Sequence, residues 1–548
     1  MFSVPKVPSV KSIVHVLAEA RKLHASCNGA CCGTRVRGCM YNGNTMRQLL
    51  DCLKEHSPVM LAAIAEGWGV IINDEQTAEV VALLAATMTD ADRLGHVLGS
   101  LTDTEREALA FVSKTQPRLH VAIRKHGALR KLGPGRLEWE QDWREPTSPL
   151  ERLWFLGLVY RSFAQDETYH GEVVFVPPEI SELLPPITFP TPEFAIEIVD
   201  APTTIRDYHD ALARDVFVLL CDVRNRDVPA SQSPPTKSQL KRLRERLYDL
   251  DPARLLLLQH CCIQMGLLRK AGRFWELTAR AADWLRAAPV MRQQLLYLAW
   301  LESKERNDLW LVPSLTCERT GWKNDVHLAR TAVVDHLRLC PADKWISTLS
   351  FIAAIHAVAP DFMRPDGDYD SWYIKDATTK RYVMGYSNWD SVEGALIGYL
   401  LHGPLCWLGV VASGNGEAQQ GMRACFRITP AGRDILRCGP FASEPPASGR
   451  PRVRPGSREG RELRLNIPST MDWYDRFLLE RFSAWLTEDA LVAEYAIDAR
   501  TVGNAVRRGV TLPQMLGFLR RISGSRLPAA CEQLLRHWGA EASGKPEA

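Results

Sequence analysis

The sequence predicts a mainly α-helical chain with small β-hairpins, an α+β class built from repeated helix–hairpin–helix units. Three observations predict it. One cadence recurs in "ERLWFLGLVYRSF…GEVVFVPPEISELL" (151–184), "CCIQMGLLRKAGRFWELTARAADWL" (261–285) and "GPLCWLGVV…ACFRITPAGRDIL" (403–436). Each copy runs from an apolar helix through Leu-Gly or Met-Gly into two β-prone runs, then opens a helix after Pro or Thr. The second observation is length: 548 residues exceed what one core can serve, and about three to five domains are expected. The third is composition, since 46% apolar and 24% charged residues belong to an ordinary globular chain.

Residues 1–44 carry Cys27, Cys31, Cys32 and Cys39 among Gly29, Gly33, Gly38 and Gly43, and are expected to form a flexible tail. Those four cysteines are weak metal candidates, because no C-x-x-C pair occurs and a second pair of ligands at zinc spacing is missing. Most of the fourteen cysteines, such as Cys221, Cys261 and Cys406, lie in apolar helical contexts where they act as small buried hydrophobes. Residues 45–98 are expected to form a helical module. The stretch "LTDTEREALAFVSKT" then opens with the capping box Thr102…Glu105.

Gly157, Gly266 and Gly409 suit helix C-termini, Thr278 and Thr429 suit N-caps, and Pro178 suits a first helical turn. Helix, hairpin and helix make the second half of a winged helix. "PPTKSQLKRLRERLYDL" supplies a preceding helix for the second copy, and "HLARTAVVDHLRL" with "ADKWISTLSFIAAIHAV" for the third. Tandem winged helices are therefore expected at 99–187, at 203–290, and after a helical segment within 291–437. The Pro-, Gly-, Ser- and Arg-rich stretch 438–461 is expected to be a disordered linker. A C-terminal module at 462–540 and a tail at 541–548 follow. In the module, Asp498 is expected to cap a helix through Arg508, Gly509 to stop it, and Thr511 to cap the next. Leu512, Met515, Leu516, Leu519 and Ile522 share one face of that second helix.

No catalytic motif is present: H-E-x-x-H, G-x-S-x-G and G-x-G-x-x-G do not occur. "GAEASGK" (539–545) fits G-x-x-x-x-G-K, but Pro546 stands where a phosphate loop needs Ser or Thr. "DGDYD" has its glycine at the wrong place for a calcium loop and is expected to be a turn. A non-enzymatic protein without a cofactor is the expectation. The greasiest run, "LLLLQHCCIQMGLL", is interrupted by Gln259, His260 and Gln264, so no membrane partner is expected. The N-terminus lacks a secretory h-region, which makes a cytoplasmic location the default.

Charge is distributed in patches. Residues 118–136 carry six Arg or Lys and no acid, and 237–246 carry five against Glu245. Such excess attracts polyanions. The candidate nucleic-acid contacts are Arg124, Lys125, Arg130, Lys131, Lys237, Lys241, Arg242, Arg246, Arg507, Arg508, Arg520 and Arg521. The helices that would read base edges, "PARLLLLQHCCIQMG" and "DSVEGALIGYLLHG", are poor in Arg and Lys. His260 and His402 on them are expected to be satisfied histidines rather than ligands or bases. Contact with the sugar–phosphate backbone is the favoured mode.

"LRKLGPGRLEWEQDWREPTSPLERLWFLGLVYR" (129–161), "DFMRPDGDYDSWYIKDA" (361–377) and "YAIDARTVGNAVRRGVTLPQMLGFLRRISGSRLPAACEQLLRHW" (495–538) resemble a bacterial family of helicase-associated winged-helix proteins. Its C-terminal module is similar to the N-terminal domain of XPB-type helicases. The resemblance covers most of the chain from about 45 to 538. It implies an α/β module at the C-terminus and partnership with DNA, a helicase or a nuclease. It carries no catalytic residues, and nothing resembling an ATPase motor follows residue 538. Residues 45–90 look like a helix-extended-helix module of the SAP type, although acids outnumber bases there. Two alternatives stand beside nucleic-acid binding: a protein-interaction scaffold and a transcriptional regulator.

Overall fold

The computed structural model describes residues 47–72, 76–130, 132–165, 170–185, 193–230, 236–418, 421–437, 451–455, 462–524 and 527–543. Cys27, Cys31, Cys32, Cys39 and Lys131 lie outside these, as do residues 544–548 of the expected tail. The chain forms two compact units. One comprises Met1–Glu193 with Val358–Ser371, and the other Phe194–Ala357 with Trp372–Ala548.

The first unit begins with α1 (Leu49–Lys54), α2 (Pro58–Gly67), α3 (Thr77–Met88) and α4 (Ala91–Ser100). It continues through α5 (Asp103–Thr115), α6 (Leu119–His126), α7 (Pro134–Glu140) and α8 (Pro149–Phe155). A hairpin of β1 (Tyr160–Gln165) and β2 (His170–Phe175) and the single turn α9 (Pro178–Ser181) complete it. Thr102 and Glu105 form the expected capping box, and Gly157 turns the chain out of α8 at φ +65°. Leu53, Ile64 and Leu84 of the first helices share one continuous core with Leu109, Leu153, Val174 and Ile180. The Trp68 indole also donates to the Leu156 carbonyl at 2.8 Å. Segments 45–98 and 99–187 are thus halves of one packing unit, because neither half alone encloses its apolar faces. Residues 358–371 belong here as well. Asp361 receives two bonds from Arg124, at 2.8 and 2.9 Å. Asp368 accepts from the Asp370 and Ser371 amides, making "DGDYD" the turn expected, with Gly367 at φ +70°.

The second unit opens with β3 (Ile198–Val199), β4 (Thr204–Arg206), α10 (Ala211–Asn225), α11 (Lys237–Leu243) and α12 (Pro252–Gln264). The hairpin β5 (Leu268–Ala271)–β6 (Phe274–Leu277) leads into α13 (Ala279–Arg286), capped by Thr278, and α14 (Pro289–Leu301). Then come β7 (Leu315–Cys317), α15 (Val326–Leu339), β8 (Trp345–Ser347), α16 (Thr348–Val358) and β9 (Ile374–Asp376). A π-helical turn at Asp390–Gly394 runs into α17 (Ala395–His402), followed by α18 (Pro404–Trp407). The third hairpin, β10 (Val411–Ala418) with β11 (Gly421–Ile428), precedes α19 (Pro430–Arg437). Helix, hairpin and helix thus recur at all three places. The third hairpin does not stand alone: it lies inside a five-stranded sheet of order β3-β8-β11-β10-β4. Strands near residue 200 therefore share a sheet with the 411–428 hairpin, and segments 203–290 and 291–437 are interleaved.

The C-terminal segment is a four-stranded antiparallel sheet of order β12-β13-β15-β14, formed by β12 (Arg452–Pro455), β13 (Glu462–Pro468), β14 (Ala484–Glu488) and β15 (Val492–Asp498). Its helices are α20 (Trp473–Leu479), α21 (Ala499–Arg507), α22 (Leu512–Ser523) and α23 (Ala529–Ser543). Two expected boundaries move. Residues 452–455, placed in the linker, form an edge strand whose backbone pairs with β13, from Arg452↔Asn466 to Pro455↔Leu463. Helix α23 runs to Ser543, past the expected start of the tail. Asp498 and Thr511 cap α21 and α22, and Gly509 sits between them at φ +80°. Met515, Leu516, Leu519 and Ile522 are buried against β13 and β15 side chains such as Leu465 and Tyr495. Among the described residues no helix is long and apolar enough to cross a membrane.

Candidate functional site

Six of the twelve candidate cations are held by carboxylates of their own unit. In the first unit Arg124 is clamped by Asp361. Burial works against that carboxyl's charge, yet hydrogen bonds from His120, Arg124 and Tyr369 hold it well below the usual carboxylate range. Lys125 lies over the Phe111 ring, 4.3 Å from its centroid. Arg130 binds Glu151 at 2.7 and 2.9 Å and Asp142 at 2.8 Å. The basic stretch near 124–136 is therefore in large part internal wiring of the fold. At the C-terminus Arg520 pairs with Glu532 at 2.6 Å, and Arg521 with Asp475 at 2.6 and 3.0 Å. Arg507 bonds the Asn504 side chain.

A different arrangement surrounds α11. Its Lys237 and Lys241 are exposed, and neither lines a cavity described here. Arg242 and Arg246 line a cleft of about 610 Å³ in the second unit. One wall comes from the end of α10 and from α11, with Asp222, Asn225, Arg226, Arg242, Glu245 and Arg246. The other comes from the turn after α20, from β14 and from α21, with Glu480, Arg481, Trp485, Arg500, Asn504 and Arg508. Six arginines face three carboxylates, a formal excess of three positive charges.

Two of those carboxylates are already neutralised. Asp222 is buried and accepts from Arg242 at 2.9 and 2.6 Å, from Gln239 at 3.4 Å, and pairs with Arg226 at 3.6 Å. Glu480 accepts from Arg246, at 2.9 Å to its Oε2, and from the Tyr495 hydroxyl at 3.1 Å. Burial disfavours the Arg246 charge, but Glu480 more than offsets this and raises its pKa above the ordinary arginine value. The Arg246 guanidinium also lies 5.3 Å from the centre of the Trp485 ring. Arg500 and Arg508 are exposed, Arg481 is half-buried, and Arg226 keeps 59% of its side chain in solvent. Among the described residues Arg481 and Arg500 form no ion pair, and Arg508 donates only to the Arg224 carbonyl, at 3.4 Å.

Of the candidates, the cleft brings together Arg242, Arg246 and Arg508. It adds Arg226, Arg481 and Arg500, which sequence reading passes over because each is a single arginine outside any basic run. The helices expected to read bases are not available for it. In α8, in α12 and in the π-helical turn with α17 the exposed residues are Pro252, Asp390 and Ser391, and no Arg, Lys, Asn or Gln is among them. On α12, Arg254 is wholly buried and paired with Asp215, and Gln264 bonds Glu305 at 2.8 Å. His260 bonds Ser303 at 2.8 Å, and His402 sits between Thr348 and Ser413, both at 2.9 Å. Burial first, then Arg306 and Arg330 beside His260 and Arg206 beside His402, pushes each imidazole down to about 4, so both are neutral near pH 7. They are satisfied structural histidines. Burial likewise pushes the Cys261 and Cys406 thiols up to about 12. Compared with models of known protein families and with curated proteins, the chain matches none.

Proposed function

We propose that this protein binds nucleic acid through its sugar–phosphate backbone, as a non-enzymatic accessory of a machine containing a helicase or nuclease. The observation that carries the reading is the arginine-lined cleft of the second unit. Segments far apart in sequence deliver their cations to one concavity. Its two buried acids are spent on internal pairs, so the outward-facing charge is cationic. A concave surface of one sign focuses its field on a polyanion, and arginine forks match phosphate geometry.

The threefold helix–hairpin–helix order supports a reading as tandem winged helices, and the resemblance of 495–538 to the module of XPB-type helicases fits the same role. A sequence-reading regulator of the winged-helix kind would present Arg, Asn or Gln on the helix before a hairpin, and none is exposed on those helices. The test is fluorescence anisotropy of labelled DNA against the full-length protein, titrated with salt between 50 and 200 mM. Micromolar or tighter binding that weakens steeply with salt is expected. No binding at the lowest salt overturns the proposal.

A further inference from the structure

The shape of the cleft and the burial of the helices narrow the ligand. A duplex is recognised by an element that protrudes into its major groove or by a surface that follows its backbone from outside. On the three helices placed to protrude no Arg, Lys, Asn or Gln is exposed. Arg481, Arg500 and Arg508, which no carboxylate among the described residues holds, line a recess instead. At about 610 Å³ that recess has the size of a ligand pocket, and a rigid double helix cannot enter it. An unpaired strand can, because its backbone bends and its bases splay. The walls also offer uncharged partners for splayed bases. Asn504 is exposed, and Asn225 keeps its side-chain oxygen after its amide nitrogen donates to the Glu480 carbonyl at 3.0 Å.

We infer that the cleft is a site for single-stranded nucleic acid, with phosphates toward Arg481, Arg500 and Arg508. The inference rests on the proposed function and specifies the form of the ligand. Arg242 and Arg246 act as positioning residues: bound to Asp222 and Glu480, they fix the wall from which the free arginines act.

The experiment measures full-length protein binding to a fluorescein-labelled twelve-residue oligothymidine and to a duplex of equal length. Wild type is compared with Arg481→Glu/Arg500→Glu and with Lys237→Glu/Lys241→Glu. The single strand is expected to bind at least tenfold more tightly than the duplex. The Arg481→Glu/Arg500→Glu variant should lose at least tenfold in single-strand affinity. Its salt dependence, as log K against log salt, should flatten by about 1.4, the change for two phosphate contacts on a single strand. The lysine variant, whose charges lie outside the recess, should lose less than threefold, and matching melting curves check that both variants fold. Equal affinity for strand and duplex, or an arginine variant that binds like wild type, overturns this inference and leaves nucleic-acid binding in place. Binding to neither form overturns the proposed function itself. Displacement of the strand by equimolar tripolyphosphate would make the recess a polyphosphate site and also overturns the inference.

Discussion

Arg246 illustrates how one residue changes meaning once its surroundings are known. In sequence it is the last cation of a basic run, whereas in the fold it is bound to Glu480, 234 residues away. The charge of the run is legible in sequence, but its pairing is not, since the partners Asp222 and Glu480 lie in other elements. Removing one member of a buried pair strands the other charge and costs about 3–5 kcal/mol, while replacing both by apolar residues costs far less. Arg246→Ala and Glu480→Leu should each lower the urea midpoint sharply, and Arg246→Met/Glu480→Leu should recover much of the loss. A double variant as unstable as the worse single one would contradict the pairing. The buried histidines set a pH window. His260 and His402 have folded pKa values near 4, below the ordinary 6.5, so the unfolded chain takes up the proton first. Their contribution is complete above about pH 6.5 and is lost as pH falls toward 4, on the order of 3 kcal/mol for each group. Urea midpoints should therefore fall between pH 6.5 and 4, and His402→Asn should flatten that decline. A midpoint constant across this range would refute the assignment of neutral, buried imidazoles.

At the scale of elements, the local signals are legible and the distant ones are not. Capping residues Thr102, Thr278, Asp498 and Thr511, and the turning glycines Gly157, Gly266 and Gly409, act within a few residues of chain, so their chemistry is written in adjacent letters. The five-stranded sheet escapes because β3, β4 and β8 have two or three residues each and pair with segments far along the chain. Periodicity needs more length than that to declare itself. The edge strand β12 escapes for another reason: its Arg-Val-Arg-Pro composition resembles linker, and Pro455 is tolerated only because the strand lies at a sheet edge. Two helical glycines separate composition from packing. A Cβ on Gly432 in α19 would collide with the Val410 carbonyl oxygen, whereas nothing lies within 4 Å of one on Gly398 in α17. Gly432→Ala should force the helix off the hairpin and lower stability by at least ~2 kcal/mol, in the range of overpacked cores. Gly398→Ala should be neutral or stabilising by up to ~1 kcal/mol, the helix propensity difference. Thermal melting of the two variants checks this, and a harmless Gly432→Ala would mean that α19 does not pack on the hairpin as described.

At the scale of the whole molecule, the first unit is discontinuous in sequence. Residues 358–371 belong to it, although the chain on both sides of them belongs to the second unit. A sequence read segment by segment assigns "DFMRPDGDYD" to the third helix–hairpin repeat, because adjacency along the chain is its only guide. In the fold, Asp361 takes both arms of Arg124, the Tyr369 hydroxyl donates to Asp361 at 2.8 Å, and Arg118 donates to the Pro365 carbonyl. The consequence is testable by dissection. A fragment of residues 45–193 retains the shared apolar core and should fold, but it leaves Arg124 and Arg118 without these partners. Hydrogen bonds to charged groups contribute about 1.5–3 kcal/mol each, so the fragment should be measurably less stable than it is with the missing segment present. A synthetic peptide of residues 358–371 added in trans should raise its melting temperature with increasing concentration, as any ligand of the folded state does. The same peptide with Asp361→Asn should raise it less, since the doubly bonded carboxylate is gone. If the wild-type and Asp361→Asn peptides act alike, the Arg124–Asp361 pair does not hold the segment to the unit. If neither acts, the segment is not an integral part of this packing unit and the unit is complete at residue 193.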